Sequence, residues 1–350
     1  VESVDDRHAG ILGTGLIGAS IGLSLSRLGW NVIGWDEDPL ALSIALSRGA
    51  VSSAAISHDD LTSRELDLLV IATPPKVTPQ ILRGLTTEAL VTDVTGIKTD
   101  VIVAGAGLTR FVSSHPMAGR EVSGPEAADA SLFNGAAWII VTDGASETDI
   151  TALERIVRLL GAHPERMDAE RHDRVVTAIS HLPQILASTL ITEATRTVPD
   201  LSLIGGSFRD LTRVAASDPV LWSDLLDTNR DLVVEMLGAF EKRLAGMSSL
   251  LEARRKDDLF DSLSESARLH RELHAPVGLV EVALPDRPGE LAAVGRALDH
   301  ARVDVRDLQL RHAPYGGGGL LRVFVHNADL PTLSAALAAE GLTVTREEKR

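Results

Sequence analysis

The chain has 350 residues, no cysteine, a formal net charge of -15 and 11 aromatic side chains, of which one, Tyr315, is a tyrosine. At about 100–200 residues per domain this is enough for two or three domains with a sizeable core, and 44% hydrophobic with 24% charged residues is a globular composition. The missing cysteines exclude disulfides, thiolate zinc sites, iron–sulfur clusters and cysteine nucleophiles, while the acidic balance argues against nucleic-acid or anionic-membrane binding and still allows a small anion held by a local arginine.

The opening stretch Val1 to His8 is polar and acidic, unlike a signal peptide, and no uninterrupted apolar run approaches the ~18 residues that span a bilayer, so a cytoplasmic protein is expected. From Ala9 to Asp36 the pattern reads strand, glycine turn, helix, strand. Ile11 and Leu12 end an apolar strand, Gly13-Thr14-Gly15-Leu16-Ile17-Gly18 opens an apolar helix that runs to Leu28, and Asn31 to Trp35 forms a second strand that ends at Asp36. Gly13 suits the tight turn, Gly15 lets backbone approach a pyrophosphate, and Gly18 lets the helix sit close on the sheet. The phosphates would lie at the helix N-terminus, where free N–H groups and the dipole favour anions. Asp36 can accept hydrogen bonds from ribose hydroxyls and would repel a 2′-phosphate, so NAD is expected rather than NADP.

Further apolar strands are predicted at Leu66 to Ala72, Leu90 to Val94, Arg110 to Ser113 and Ala137 to Val141. With the helical stretches between them they predict an α/β fold, a Rossmann-type doubly wound parallel sheet. Ligands of such sheets lie outside the carboxyl ends of the strands, which places Thr73, Asp93, Thr95 and His115 toward the cofactor edge.

From about Met167 the strand signals stop. Ala169 to Thr197 and Pro219 to Leu251 have helical periodicity, with a Gly205-Gly206 break between them, and charged helical sequence continues to about Leu273. An all-helical domain that also joins two copies of the chain as a homodimer is expected. Of the eleven histidines, His8, His58, His163, His270, His274, His300, His312 and His326 lie in polar or terminal contexts. His115 follows a strand and precedes Pro116-Met117-Ala118-Gly119, where a general base could stand beside a nicotinamide. His181 falls on one helical face with Thr177 and Asp173. Asp210 and Arg213, one turn apart, fit either an exposed ion pair or an arginine fork for a substrate carboxylate.

The segments Gly13 to Ser20, His115-Pro116-Met117-Ala118-Gly119, Ser180-His181-Leu182-Pro183 and Asp210-Leu211-Thr212-Arg213 with Trp222 occur in the order and spacing of the prephenate dehydrogenase family, which includes arogenate dehydrogenases. The resemblance covers roughly Ala9 to Leu250. It implies NAD-dependent oxidative decarboxylation of prephenate to 4-hydroxyphenylpyruvate in tyrosine biosynthesis, with no metal required. It further implies that His115 accepts a hydrogen bond from the ring hydroxyl and helps deprotonate it, Arg213 binds a substrate carboxylate, His181 lines the cleft or supports its architecture, and Trp222 and Asp210 buttress the arginine. The family usually carries serine in an Asp-x-x-Ser-x-Lys segment, where this chain has Asp93-Val94-Thr95-Gly96-Ile97-Lys98, so either Thr95 supplies the hydroxyl from a shifted place or the contact is absent. Gln184 stands where histidine is common.

After Ala275-Pro276 a strand through Val280, Val282 and Leu284 precedes Asp286-Arg287-Pro288-Gly289-Glu290, which starts a helix with Leu291, Val294 and Leu298 on one face. Strands at Val303 to Leu310 and Leu320 to Val325, joined by Tyr315 to Gly319, a helix at Leu330 to Glu340 and a strand at Leu342 to Thr345 complete a βαββαβ ferredoxin-like order. This segment resembles an ACT domain, which implies an amino-acid effector, tyrosine above all, near Asp286, Pro288 and Gly289. The expected domains are therefore 1–167 for the cofactor, 168–274 for substrate and dimerisation, and 275–350 for regulation. Competing readings are an arogenate dehydrogenase, another reductase of hydroxyacids or imines on the same scaffold, and a non-catalytic amino-acid sensor.

Overall fold

Short runs of alternating apolar side chains form β1 (His8–Leu12), β2 (Asn31–Trp35), β3 (Ser53–Ala54), β4 (Leu68–Ile71) and β5 (Leu90–Asp93), with α1 (Leu16–Arg27), α2 (Pro39–Ser47), α3 (His58–Thr62) and α4 (Thr78–Gly84) between them. The computed structural model describes residues 7–119, 122–198, 204–273, 277–285, 287–312 and 318–349. The five strands pair in parallel in the order β3-β2-β1-β4-β5. The chain winds outward from β1, then returns to its other side at β4, so the switch point that opens a ligand crevice lies between the carboxyl ends of these two strands. In β4, Leu68 and Val70 face one core and Leu69 and Ile71 the other, which explains its unbroken apolar run.

The strand expected at Arg110 to Ser113 is reduced to one parallel bridge between Val91 and Phe111. After α5 (Thr99–Gly105), Val112 donates to Val91, and at the next residue Ser113 accepts from Val141, so the chain passes from one sheet to another within four residues. The second sheet has β6 (Ser114–Pro116) antiparallel to β7 (Ala137–Val141); after α6 (Glu147–Leu159), β8 (His163–Met167) lies parallel to β7.

The helices that follow are α7 (Ala169–Val176), α8 (Leu182–Thr197), α9 (Gly206–Thr212), α10 (Pro219–Thr228), α11 (Arg230–Glu252) and α12 (Lys256–Leu273). A π-helical turn, Thr177–His181, joins α7 to α8. Pro183 explains it, because its ring clashes with the carbonyl four residues back and it has no N–H to donate. Ala169–Thr197 is long and apolar enough to cross a membrane by length and mean hydropathy, although polar residues interrupt it. It buries His172, Asp173, Thr177 and His181, which make polar contacts inside the protein. The helix expected over Pro219 to Leu251 breaks at Asn229, whose side chain turns inward to donate to Thr177 Oγ1 at 2.7 Å.

The chain divides into two units, Val1–Arg243 and Leu244–Arg350. In the second, β9 (Val277–Leu284), α13 (Glu290–Ala301), β10 (Val305–His312), β11 (Gly319–His326), α14 (Leu330–Ala339) and β12 (Thr343–Glu348) give an antiparallel sheet in the order β10-β11-β9-β12. Both helices pack on a core of Val280, Val282, Val323, Leu333 and Leu337, the ferredoxin-like arrangement. One detail departs from expectation: α13 buries Ala293, Val294 and Ala297, and Leu291 is 58% exposed. Small residues let the helix approach the sheet closely, which turns Leu291 outward.

Candidate active site

The turn after β1 is built as its glycines require. Gly13 adopts φ +93°, which side chains rarely tolerate, and a Cβ on Gly18 would fall on the Gly13 carbonyl oxygen. By contrast, a Cβ on Gly15 would meet nothing within 4 Å. Gly15 is the N-cap of α1 and supplies no side-chain cap, so the first N–H groups of the helix face open space, bordered by Leu16 and Ile17. Asp36 closes the turn: its Oδ2 accepts from Thr14 N at 2.5 Å and Thr14 Oγ1 at 3.1 Å, and Oδ1 accepts from Asp38 N at 2.9 Å. Thr73, at the end of β4, shares a hydrogen bond of 2.8 Å with Thr78. An uncapped helix start, a cradle without side chains and a carboxylate at the end of β2 suit a pyrophosphate and a ribose.

Behind this edge lies a buried ion pair. Lys98 is fully buried, with Nζ 2.6 Å from Asp93 Oδ2 and 2.5 Å from the Ser114 carbonyl oxygen. Burial pushes the Lys98 pKa down and the Asp93 charge opposes that shift. Asp93, expected to face the cofactor, is instead fully buried, accepting from Ser113 Oγ at 2.5 Å and from Thr95 N at 2.9 Å. Thr95 is likewise turned inward, its Oγ1 2.6 Å from Asp93 Oδ2 and 3.0 Å from the Ile97 carbonyl. Of the two alternatives for the missing serine, an absent contact fits better, because the Thr95 hydroxyl is buried and donates into this cluster. The sequence pattern placed both residues at the right sheet edge but could not give the direction of their side chains.

His115 sits on β6, one residue beyond the Ser114 carbonyl that Lys98 holds, and is part-exposed. Its Nδ1 is 2.9 Å from Nε2 of His172 on α7, and His172 Nδ1 is 2.8 Å from Asp173 Oδ1. Asp173 also accepts from Lys98 N at 2.8 Å, Thr99 N at 2.9 Å and Thr99 Oγ1 at 2.6 Å, which ties α7 to the start of α5. Burial pushes the His115 pKa well below the ordinary histidine value, and the charges of His172, Lys98 and His181 act in the same direction. Burial also lowers His172, against the pull of Asp173. For Asp173 burial acts upward, but the hydrogen bonds from His172 and Thr99 outweigh it and hold the carboxyl below its usual value. His172 escaped the sequence reasoning altogether; the neighbouring Asp173 and the helical face shared with His181 were the only signals near it.

A Cβ placed on Gly96 would lie 3.7 Å and 3.8 Å from Cε1 and Nε2 of His115, and 3.2 Å from Leu225 Cδ2. The space beside the outer ring edge is thus walled by Leu225 of α10. That helix also brings Trp222 edge-on to His181 with ring centroids 5.9 Å apart. His181, in the π-turn, is buried, with Nδ1 3.2 Å from Asn229 Nδ2, and burial lowers its pKa to about 4. Lys76, just beyond Thr73, pairs with Asp224 at 2.8 Å and Asp227 at 3.1 Å, so α10 is held to the β4 edge as well. Asp210 and Arg213 are exposed at the end of α9 and the start of the 3-10 turn after it. In the second unit, Gly289 caps α13 with φ +96° and no side-chain hydrogen bond; Asp286 lies outside the described residues.

Comparison with known proteins matches two family models: "Prephenate dehydrogenase, nucleotide-binding domain" over residues 21–166 and "Prephenate dehydrogenase, dimerization domain" over residues 168–265. A relative from Streptomyces niveus named "Probable prephenate dehydrogenase NovF" is 33% identical over 88% of this chain and 91% of its own. The prephenate dehydrogenase of Bacillus subtilis is 29% identical over 91% of this chain and 92% of its own. Among solved structures, prephenate dehydrogenase from Aquifex aeolicus, in complex with hydroxyphenyl propionate and NAD+, superposes with a TM-score of 0.71 at 28% identity, covering 78% of this chain and all of that one.

Proposed function

The chain belongs to the prephenate dehydrogenase family, and from that premise we propose that it oxidatively decarboxylates prephenate to 4-hydroxyphenylpyruvate with NAD, in tyrosine biosynthesis. The turn Gly13 to Gly18 and the start of α1 would hold the pyrophosphate, and Asp36 the ribose hydroxyls. NAD, when bound, supplies the hydride acceptor. Asp36 offers acceptor oxygens and no cation to a 2′-phosphate, which favours NAD over NADP.

The observation that carries the reading is the position of His115: Nδ1 is engaged inside the protein while the Nε2 edge faces Gly96, beside Leu225. Its lowered pKa keeps it neutral at pH 7, the state a base requires. His115 takes the proton of the ring hydroxyl as that carbon becomes a carbonyl; loss of carbon dioxide then makes the ring aromatic, and the proton returns to the phenolic oxygen. On this reading Arg213 would bind a substrate carboxylate, Asp210 and Trp222 would buttress it, and His181, which packs edge-on against Trp222, would line the cleft. In a chain of net charge -15, a dianionic substrate needs such a dedicated cation.

We assign residues 1–167 to the cofactor, 168–274 to substrate and dimerisation, and 275–350 to regulation by tyrosine or another aromatic amino acid near Pro288 and Gly289, in a cytoplasmic homodimer. Exposed apolar side chains on α10 and α11, among them Leu221 at 44% and Val234 at 61%, support the dimer, and a sedimenting species of 37.2 kDa would refute it. The functional test is reduced-cofactor formation with prephenate or arogenate and with NAD or NADP. Prephenate with NAD is expected to be the best pair; failure with prephenate overturns the assignment.

A further inference from the structure

The hydrogen bonds behind His115 leave its proton one position. Asp173 Oδ2 accepts from Thr99 N at 2.9 Å and Thr99 Oγ1 at 2.6 Å, and Oδ1 accepts from Lys98 N at 2.8 Å. A carboxyl group that receives three such donors is ionised and can only accept. The fourth contact, His172 Nδ1 at 2.8 Å, must therefore be an N–H. A neutral imidazole carries one N–H, so His172 Nε2 is an acceptor. It lies 2.9 Å from His115 Nδ1, which must then carry the proton. Neutral His115 is left with a bare Nε2 on the edge that faces Gly96 and Leu225.

We infer that His172, oriented by Asp173, is a positioning residue that fixes the proton of His115 on Nδ1 and so presents Nε2 as the acceptor for the substrate hydroxyl. This rests on the reading of His115 as the base. Asp173 is itself pinned by two backbone N–H groups at the start of α5, so neither carboxylate oxygen can swing away from the rings. When Nε2 takes the proton, the positive ring remains hydrogen-bonded through His172 to a fixed anion. The opposite tautomer would turn a proton toward the hydroxyl and remove the acceptor. An acid–histidine pair elsewhere loses on the order of 10⁴-fold in kcat when the wrong tautomer is imposed.

Two replacements of His172 separate this role from packing. Gln keeps an acceptor near the position of Nε2, whereas Phe keeps ring volume and removes it. H172F is expected to lower kcat by about 100-fold or more, with NAD affinity and the KM for prephenate within about threefold of the parent, and H172Q to stay within about tenfold of the parent rate. Nitrogen NMR of histidine-labelled protein reads the tautomer without substrate. His115 should show a protonated Nδ1 and a bare Nε2 in the parent and in H172Q, and the proton should redistribute in H172F. Should H172F fail to fold, the parent spectrum and H172Q still decide. A parent enzyme with its His115 proton on Nε2, or an H172F variant with the parent kcat, overturns the inference. A parent that ignores prephenate defeats the functional reading instead and leaves the NMR result standing.

Discussion

Gly96 is one hydroxymethyl group away from the family pattern, and the geometry says what that group would touch. A Cβ there stands 3.8 Å from His115 Nε2, so a serine Oγ can reach the ring nitrogen, while Leu225 Cδ2 at 3.2 Å is a flexible methyl that need give only a few tenths of an ångström. One hydrogen bond is worth about 1 kcal/mol, or about fivefold in rate. Gly96→Ser is therefore expected to raise kcat with prephenate by about that factor, and a fall of similar size in steady-state assays would show that the space serves another purpose. His115→Asn should lower kcat by orders of magnitude while NAD titration stays unchanged, and Arg213→Ala should chiefly raise the KM for prephenate. The sequence could single out these residues because short, ordered motifs carry them. The direction of Asp93, the choice between the two alternatives at Thr95 and the part of His172 could not be read, because they depend on side-chain direction and on partners up to 57 residues away, as in the pair His115–His172.

At the scale of the element, the turn into α1 separates two kinds of glycine. Gly18 has no room for a methyl group, since its Cβ would meet the Gly13 carbonyl, whereas Gly15 has nothing within 4 Å. Gly18→Ala should thus lower thermal stability and NAD affinity together. Gly15→Ala should fold with an unchanged Tm yet bind NAD at least tenfold more weakly, because only the incoming pyrophosphate contests that space. Parallel loss of Tm in both variants would mean that the cradle is not open for a ligand. The turn could be read from sequence because each glycine acts on neighbours close in the chain. The break at Asn229 could not, since it depends on an inward contact with Thr177, 52 residues earlier. The same holds for the chain around Phe111, where four residues divide their hydrogen bonds between two sheets that no local periodicity distinguishes.

Across the whole molecule, the histidines held neutral by the fold make acid the destabilising condition. His115, His172 and His181 all have pKa values below the ordinary 6.5 in the folded chain. As pH falls through 6.5, the unfolded chain takes up protons that the folded chain refuses, so the stability these groups supply is complete above that value and is lost on acidification. For His181 the loss runs from 6.5 down to its folded value of about 4 and amounts to about 3 kcal/mol. Relief of the net charge of -15 works in the opposite sense, but carboxylates begin to protonate only near pH 4–5, so between pH 6.5 and 5 the histidines dominate. All four tryptophans, Trp30, Trp35, Trp138 and Trp222, lie in the first unit with these histidines. Their fluorescence during urea unfolding therefore reports on the unit that titrates. The midpoint should fall between pH 7 and pH 5, and His181→Phe should reduce the pH dependence by about one proton's share of its slope. A midpoint constant over that interval would mean that the three rings are not held neutral, and the base proposed at His115 would lose its physical ground.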